Sequence, residues 1–586
     1  MTDPTSEPTT EPATPPTSEP TTEPTTPPTT EPTIPPSPIR QDDPEAFPVW
    51  GDAILAELAD YGSERELAPG EELLHAGRAS SGFYVVLEGE IEVVRPDIDR
   101  DVPVGLLRPG QFVGGVSLLR GQRPYLTARA TRPGRVLDIP PEEFRRLMGA
   151  RRQLADTVFN STVARSDNLR TGVAASTVHI YGSRFSPDSL ALRAFANRSR
   201  VPHTWIDLDD ADDPDVVLAG RGLRPGDVPA VVTATATLRR ATPGELAQLL
   251  GLTFESPPGY TFDLVVVGTG PAGLAAAVYG ASEGLDTVSL DGEAMGGQAG
   301  TSSLIENYVG FPNGISGDEL ADRAAIQARR LGARLNAPCE VTGLRPGSTF
   351  HTLLLADGSE LPARAVVVAT GARYRRLPVP DLDRFEGAGV YYAATAIEAR
   401  DCSSRPVVVV GGGNSAGQAA LYLAQGGSRV SIVIRRDSLA ATMSRYLVAR
   451  IEADPAIEVV GDTEVRELTG RDHLDEVVLE HTPTGERRTV ACAGLFCFIG
   501  AEPATGWLGD VVTLDGAGFV LTDRDLPEDV ATGPTFAARP PLPFETSVPG
   551  VFAVGDVRHG SLKRVAAAVG EGSSVVRAVH DHLARV

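Results

Sequence analysis

Residues 262–293 read "FDLVVVGTGPAGLAAAVYGASEGLDTVSLDGE". An apolar run ends at a cluster of glycines. Small residues follow, then a second apolar run, "TVSLD", that ends on an acid. This order predicts strand, tight turn, helix and parallel strand, the unit of an α/β dinucleotide-binding fold. Gly268, Gly270 and Gly273 form Gly-x-Gly-x-x-Gly. The first permits the turn, the second lets backbone approach a pyrophosphate, and the third lets helix and strand pack closely. Pro271 and Ala272 open the helix, whose N-terminus suits phosphate. Asp291 stands where a carboxylate takes ribose hydroxyls, with Glu293 as a neighbouring candidate.

A second unit follows at residues 405–438, "RPVVVVGGGNSAGQAALYLAQGGSRVSIVIRRDS". Here Gly411, Gly413 and Ala416, with Asn414 and Ser415 between them, give Gly-x-Gly-x-x-Ala. The next strand ends in Arg435 and Arg436 rather than an acid. An acid prefers a free 2′-hydroxyl, whereas paired guanidiniums suit a 2′-phosphate, so this site should prefer NADPH over NADH. Arg445 is a third candidate contact.

Between and beyond these units the chain resembles the thioredoxin-reductase family. The residues that carry the likeness are "GGQAGTSSLIENYVGFPNGISGDEL" (296–320), "VVVATGA" (366–372) and "TSVPGVFAVGDVRHGSLKRVAAAVGEGSSVVRAV" (546–579). The resemblance covers residues 260–586 and implies a two-domain flavoprotein that binds FAD and NADPH. It assigns Gln298 and Asn307 to the flavin lining and Thr370 and Gly371 to the crossing between domains. Gly555 and Asp556 fall at the ribityl contact. The helix that begins at Arg564, Val565 and Ala566 is expected to point at the flavin ring. The expected FAD domain is residues 260–380 with 506–586, and the NADPH domain is 381–505. Such flavoproteins are commonly dimers, so a homodimer is expected.

The likeness fails at one place. In that family two cysteines separated by two residues precede the second nucleotide unit. Here "GVYYAATAIEARDC" (389–402) puts Ala393 and Ala396 at those positions. Alanine cannot exchange electrons with a flavin, so direct relay to thioredoxin is not expected. The four cysteines, Cys339, Cys402, Cys492 and Cys497, make no Cys-x-x-Cys pair and no zinc-like spacing. They read as reduced and structural, with Cys402, in the polar stretch "ARDCSSR", the least certain. No metal site and no catalytic side chain stand out, because hydride transfer between cofactors requires orientation more than an acid or base. The leading expectation is an NADPH-dependent flavin oxidoreductase with an unknown acceptor, reached past Tyr391, Tyr392 and the small alanines unless those tyrosines simply pack. Two alternatives stand beside it: a ferredoxin- or flavodoxin-NADP reductase, and a redox sensor with regulatory front domains.

The front of the chain is modular. Residues 1–44 are a Thr/Pro/Glu-rich tail with acids and no base before Arg40, too poor in apolar residues to fold. In residues 45–165, "PGEELLHAGRASSGFYVVLEGEIEVV" (69–94) and "LRPGQFVGGVSLLRGQRPYLTARATRPGRVLDIPPEEFRRLM" (107–148) resemble the cyclic-nucleotide-binding β-roll. "GFYVVLEGEIEVV" alternates around a Glu-Gly turn and reads as a hairpin. The resemblance places a ribose-binding Glu at Gly115 and a phosphate-binding Arg at Pro124. The fold is therefore expected without ordinary cyclic AMP binding, with Arg120 or Arg123 available to an altered ligand. Residues 176–252 resemble a thioredoxin/glutaredoxin fold, with Pro229 at its cis-proline. Its active-site pair falls in "GSRFSP", where Ser183 and Ser186 stand instead of cysteines. A serine carries no disulfide, so this unit is redox-silent.

The net charge of -24 argues against nucleic acid, whose phosphates require a basic footprint. Lys563 is the single lysine among mostly arginine bases. No apolar run approaches the ~18 residues of a membrane span, and the N-terminus has no signal-peptide pattern. A soluble cytoplasmic protein is the expectation.

Overall fold

The structure, a computed structural model, describes residues 43–80, 82–97, 101–171, 177–253, 259–302, 304–386, 388–392, 394, 396–471 and 473–585. Most of the N-terminal tail and Ala393 lie outside the described residues, and of Ala396 only the backbone is described.

The front unit is a β-roll of two four-stranded sheets. Its strands are β1 (Ser63–Leu67), β2 (Glu72–Leu74), β3 (Phe83–Glu88), β4 (Ile91–Arg95), β5 (Val102–Leu107), β6 (Phe112–Val113), β7 (Thr127–Ala130) and β8 (Gly134–Ile139). They pair in the orders β1-β8-β3-β6 and β2-β7-β4-β5. The expected hairpin is therefore wrong: β3 and β4 are consecutive but belong to different sheets. Four residues of β3 in a row are buried, because the strand faces the roll interior on one side and covering helices on the other. Gly89, at φ +90°, lets the chain change sheets. A short helix α1 (Gly115–Arg120) follows β6, and the long helix α2 (Arg152–Thr171) closes the roll.

Next comes a mixed sheet of β9 (Val178–Gly182), β10 (His203–Asp207), β11 (Ala230–Val232) and β12 (Thr237–Arg239), in the order β10-β9-β11-β12. Helix α3 (Pro187–Arg198) packs on β9, and the Val228–Pro229 peptide is cis.

The opening stretch folds as read. β13 (Phe262–Val267), helix α4 (Pro271–Ser282) and β14 (Thr287–Leu290) form the parallel unit. Helix α5 (Gly317–Leu331) and the strands β15 (Arg334–Asn336), β16 (Val341–Arg345), β17 (His351–Leu355) and β18 (Glu360–Val368) complete most of the sheet. Its order is β15-β14-β13-β18-β17-β16. β19 (Ala372–Tyr374) then leaves for a second nucleotide fold. There β20 (Val390–Tyr391), β21 (Pro406–Val410), helix α6 (Asn414–Gln425), β22 (Arg429–Val433), helix α7 (Arg445–Ala453), β23 (Ile457–Val460) and a later strand form a parallel sheet. A meander of β24 (Thr463–Gly470), β25 (Leu474–His481) and β26 (Glu486–Ala491) precedes that later strand, β27 (Gly494–Cys497). β28 (Ala501–Pro503) returns antiparallel to β19. β29 (Val551–Ala553) joins β18 in the first sheet, and helix α8 (Val565–Leu583) crosses α4. β13, β21 and the second half of β18 are rich in valine because both faces of these sheets are covered, by helices on one side and mainly by strands and loops on the other.

The front units share cores with the flavoprotein-like part. Ile326 of α5 belongs to the core of the roll, and Ala294 to that of the mixed-sheet unit. Among the described residues, no helix is long and apolar enough to cross a membrane.

Candidate functional site

The first nucleotide loop is shaped by what a side chain would strike. Gly268 sits at φ +110°, and a Cβ there would lie 2.3 Å from the Ala369 carbonyl oxygen. A Cβ on Gly273 would lie 1.9 Å from the Gly268 oxygen. Gly270 differs: its nearest neighbour in that direction is Gly297 Cα at 4.0 Å, so the flank of the loop is open. The first and third glycines thus serve packing, and the second leaves room for a group to approach. Gly270 is also the N-cap of α4, with Pro271 at its first turn and Ala272 buried beneath it.

Asp291 takes a role beyond the ribose contact expected from its spacing. Its Oδ2 accepts from Thr269 N (2.9 Å) and Thr269 Oγ1 (2.8 Å), and its Oδ1 accepts from Glu293 N (3.0 Å). It ties the end of β14 to the glycine loop. Glu293 is largely exposed and pairs with Arg198 of α3 at 3.2 Å. Gln298 donates to the Ala372 carbonyl, at the base of the interdomain ribbon. Thr370 Oγ1 donates to the Ala504 carbonyl across that ribbon (2.8 Å), and Gly371 turns at φ +66°. Asn307 lies exposed on the loop after Gln298.

The C-terminal motif meets the loop from the other side. A Cβ on Gly555 would lie 2.9 Å from Ala272 Cβ. Sequence reading missed Glu571, which fixes this turn: it accepts from Gly555 N (2.7 Å), Arg558 Nη2 (2.7 Å) and Ser561 Oγ (2.9 Å). The Asp556 carboxylate makes no protein hydrogen bond among the described residues. Burial pushes its carboxyl above the usual range, opposed by Lys563 and aided by Glu571. Arg564 caps α8, and its first residues Val565 and Ala566 remain at least partly exposed.

In the second nucleotide unit Gly411 sits at φ +137°, where a Cβ would lie 2.3 Å from the Phe498 oxygen, and Gly413 has nothing within 4 Å. Ala416 is fully buried, and Ser415 is exposed. Asn414 is bound twice to Ser444, donating to its Oγ and accepting from its N, both at 2.8 Å. Thr442 Oγ1 donates to the Gly412 oxygen at 2.7 Å. Thr442 and Ser444, overlooked in the sequence, brace the loop from the segment before α7. Arg435, Arg436 and Arg445 are all exposed. Among the described residues, none of the three has a carboxylate partner.

At the place of the missing cysteines, Ala394 is buried in the core of the second nucleotide unit. Both tyrosines pack against described neighbours. The Tyr391 ring sits 5.2 Å from that of Phe496, and Tyr392 Oη donates to Glu386 Oε1 at 2.6 Å. Cys402, Cys492 and Cys497 are completely buried, and Cys339 is half-buried. Burial pushes the thiols of Cys492 and Cys497 up to about 12 and that of Cys339 to about 11. The polar surroundings of Cys402 in sequence did not predict its burial.

In the mixed-sheet unit both serines are structural caps. Ser183 Oγ donates to Asp209 Oδ2 (2.8 Å), and Ser186 Oγ accepts from Ser189 N (3.4 Å) at the start of α3. In the roll, Arg120 and Arg123 reach neighbouring units. Arg120 forms a two-pronged pair with Asp322 of α5 (2.6 and 2.9 Å). Arg123 Nη1 donates to the Leu249 oxygen (3.1 Å).

Residues 262–572 match the pyridine nucleotide-disulphide oxidoreductase family, and residues 64–151 match the cyclic nucleotide-binding domain family. A thioredoxin reductase of Treponema pallidum (strain Nichols) is 34% identical over 323 residues, 55% of this chain and 97% of the relative. A 34.2 kDa protein in the rubredoxin operon of Clostridium pasteurianum is 30% identical over 311 residues, 53% of this chain and 94% of the relative. The crystal structure of Lactococcus lactis thioredoxin reductase is similar with a TM-score of 0.50 and 30% identity. That likeness covers 56% of this chain and all of the other.

Proposed function

The chain belongs to the pyridine nucleotide-disulphide oxidoreductase family and is a flavoprotein oxidoreductase of the thioredoxin-reductase type; from that premise we propose that it takes electrons from NADPH through FAD and hands them to an acceptor outside its own chain. The residues present suit both cofactors. The open flank of Gly270 and the N-terminus of α4 suit the FAD pyrophosphate. The unpartnered carboxylate of Asp556 suits a ribityl hydroxyl. Arg435 and Arg436 suit a 2′-phosphate. When both cofactors are bound, hydride passes from the nicotinamide to the flavin.

The protein's own part is positional. Asp291 holds the glycine loop closed on β14, and Glu571 holds the Gly555–Asp556 turn. The exposed start of α8 offers free backbone N–H groups, which favour the negative charge that reduction adds. Thr442 and Ser444 keep the second loop fixed.

The external acceptor rests on one observation. Ala393 and Ala396 replace the cysteine pair, and no other two thiols of the chain make a Cys-x-x-Cys. The test is anaerobic stopped-flow mixing of the FAD-loaded protein with NADPH, with NADH as control. Fast flavin bleaching by NADPH, with NADH roughly 10–100-fold less effective, is expected from the worth of a charged hydrogen bond. A flavin that stays oxidised, or bleaches equally with both, would overturn the NADPH reading. A homodimer belongs to the same reading and is checked by sedimentation of the loaded chain.

A further inference from the structure

Against the β2-β7-β4-β5 sheet of the roll, walled also by residues 113–126 and by α2, lies a cavity of about 100 Å³. Val93, Val104, Leu107, Leu126 and Ala128 wall it with hydrocarbon, and among the described residues Arg165 of α2 is its one charged side chain. That arginine is 9% exposed. Its Nε donates to the Ala46 oxygen (2.6 Å) and its Nη1 to the Phe112 oxygen (2.8 Å). The rings of Phe47 and Phe112 cover its two faces, 4.7 and 4.4 Å from the guanidinium carbon. Its Nη2 is buried and has no partner. Among the described residues no carboxylate pairs with it, and burial alone pushes it down to about 9. A desolvated cation with a spare N–H and no counter-charge is costly to keep. An anion arriving at Nη2 removes that cost.

We propose that this cavity binds a small apolar acid, its carboxylate on Arg165 Nη2 and its hydrocarbon against Val93, Val104 and Ala128. A cyclic nucleotide does not fit this description. Gly115 and Pro124 offer its ribose and phosphate no side-chain partner, and the space is smaller than the ~150 Å³ that holds a benzene ring. The ligand is therefore a short-chain acid of about butanoate size or less. Its seat is well placed to be felt elsewhere. The cavity wall includes Gly114, Ser117 and Gln122, and the same segment carries the Arg120–Asp322 pair to α5 and the Arg123 N to Leu250 O bond (2.9 Å) to the mixed-sheet unit.

The test is isothermal titration of the full-length, FAD-loaded protein with propanoate and butanoate, with butanol and cyclic AMP as controls. Turnover plays no part in this readout. At least one acid should bind one-to-one, with butanol and cyclic AMP at least 10-fold weaker. Arg165→Met should weaken the acid at least 10-fold. Ala128→Leu, which fills the cavity without touching the arginine, should abolish binding while the flavin absorbance stays that of the parent. No heat with either acid, equal binding of butanol, binding that survives Ala128→Leu, or tighter binding of cyclic AMP would each overturn the proposal.

Discussion

Two arginines and one acid show how a side chain's role depends on what else claims it. Glu293, a candidate for ribose, is engaged by Arg198. Arg435 and Arg436 are exposed at the end of the second nucleotide strand without a carboxylate, so their guanidiniums are available to a dianion. Substituting both by alanine should weaken NADPH about 10–100-fold, as expected for losing charged hydrogen bonds, and leave NADH nearly unchanged. The ratio of dissociation constants for the two nucleotides, measured by titration of the flavin spectrum, reads this directly. Equal loss for both nucleotides would mean a general positive patch, without recognition of the 2′-phosphate. The glycines were legible in the sequence because their spacing within one turn repeats in both units, although the backbone that a Cβ on Gly268 or Gly411 would strike lies 101 and 87 residues further on. Glu571 and Ser444 were not legible, since each serves a loop from 16 and 30 residues away.

At the scale of elements, period-2 alternation gave the strands of the roll but not their partners. β3 and β4 read as a hairpin because a turn separates two apolar runs, yet alternation records burial and says nothing about which edge a strand meets. The joint between α1 and α5 was equally hidden, because it pairs residues 202 apart in sequence. Asp322 there is 13% exposed at its side chain and accepts Arg120, with Arg200 at 3.7 Å. Removing one partner of a buried pair costs about 3–5 kcal/mol. Asp322→Asn should therefore loosen the roll from the flavin domain, which calorimetry would record as an earlier, separate transition. A single unshifted transition would show that the pair adds nothing. A second element contact sets an acid limit. His351 of β17 faces His582 of α8, and burial, with His582, pushes it down to about 4. Folding keeps His351 neutral, whereas the unfolded chain protonates it near its ordinary value of about 6.5. The stability it contributes is present above that pH and is lost as pH falls towards 4, on the order of 3 kcal/mol in all. His351→Gln should flatten the fall of Tm between those values.

The whole molecule is two nested nucleotide folds, joined by the β19–β28 ribbon and carrying two further units that share their cores. The nesting was legible because both glycine motifs and the return motif occur in order along the chain. The sharing of cores was not, because Ile326 and Ala294 read as ordinary helix and loop residues until the roll and the mixed sheet are laid against them. The electron path is a property at this scale. Cys402, Cys492 and Cys497 are fully buried, and Cys339 is half-buried and raised to about 11, so hardly any thiolate exists at neutral pH. Alkylation of the native protein should modify Cys339 slowly and the other three only after unfolding, four thiols in total. A disulfide that took electrons from the flavin would release two thiols on reduction, so adding NADPH to the native protein under argon should leave the alkylation count unchanged. A count that rises by two on NADPH would return the electrons to a dithiol within the chain. An unchanged count, together with a bleached flavin, leaves them on the flavin until an outside acceptor collects them.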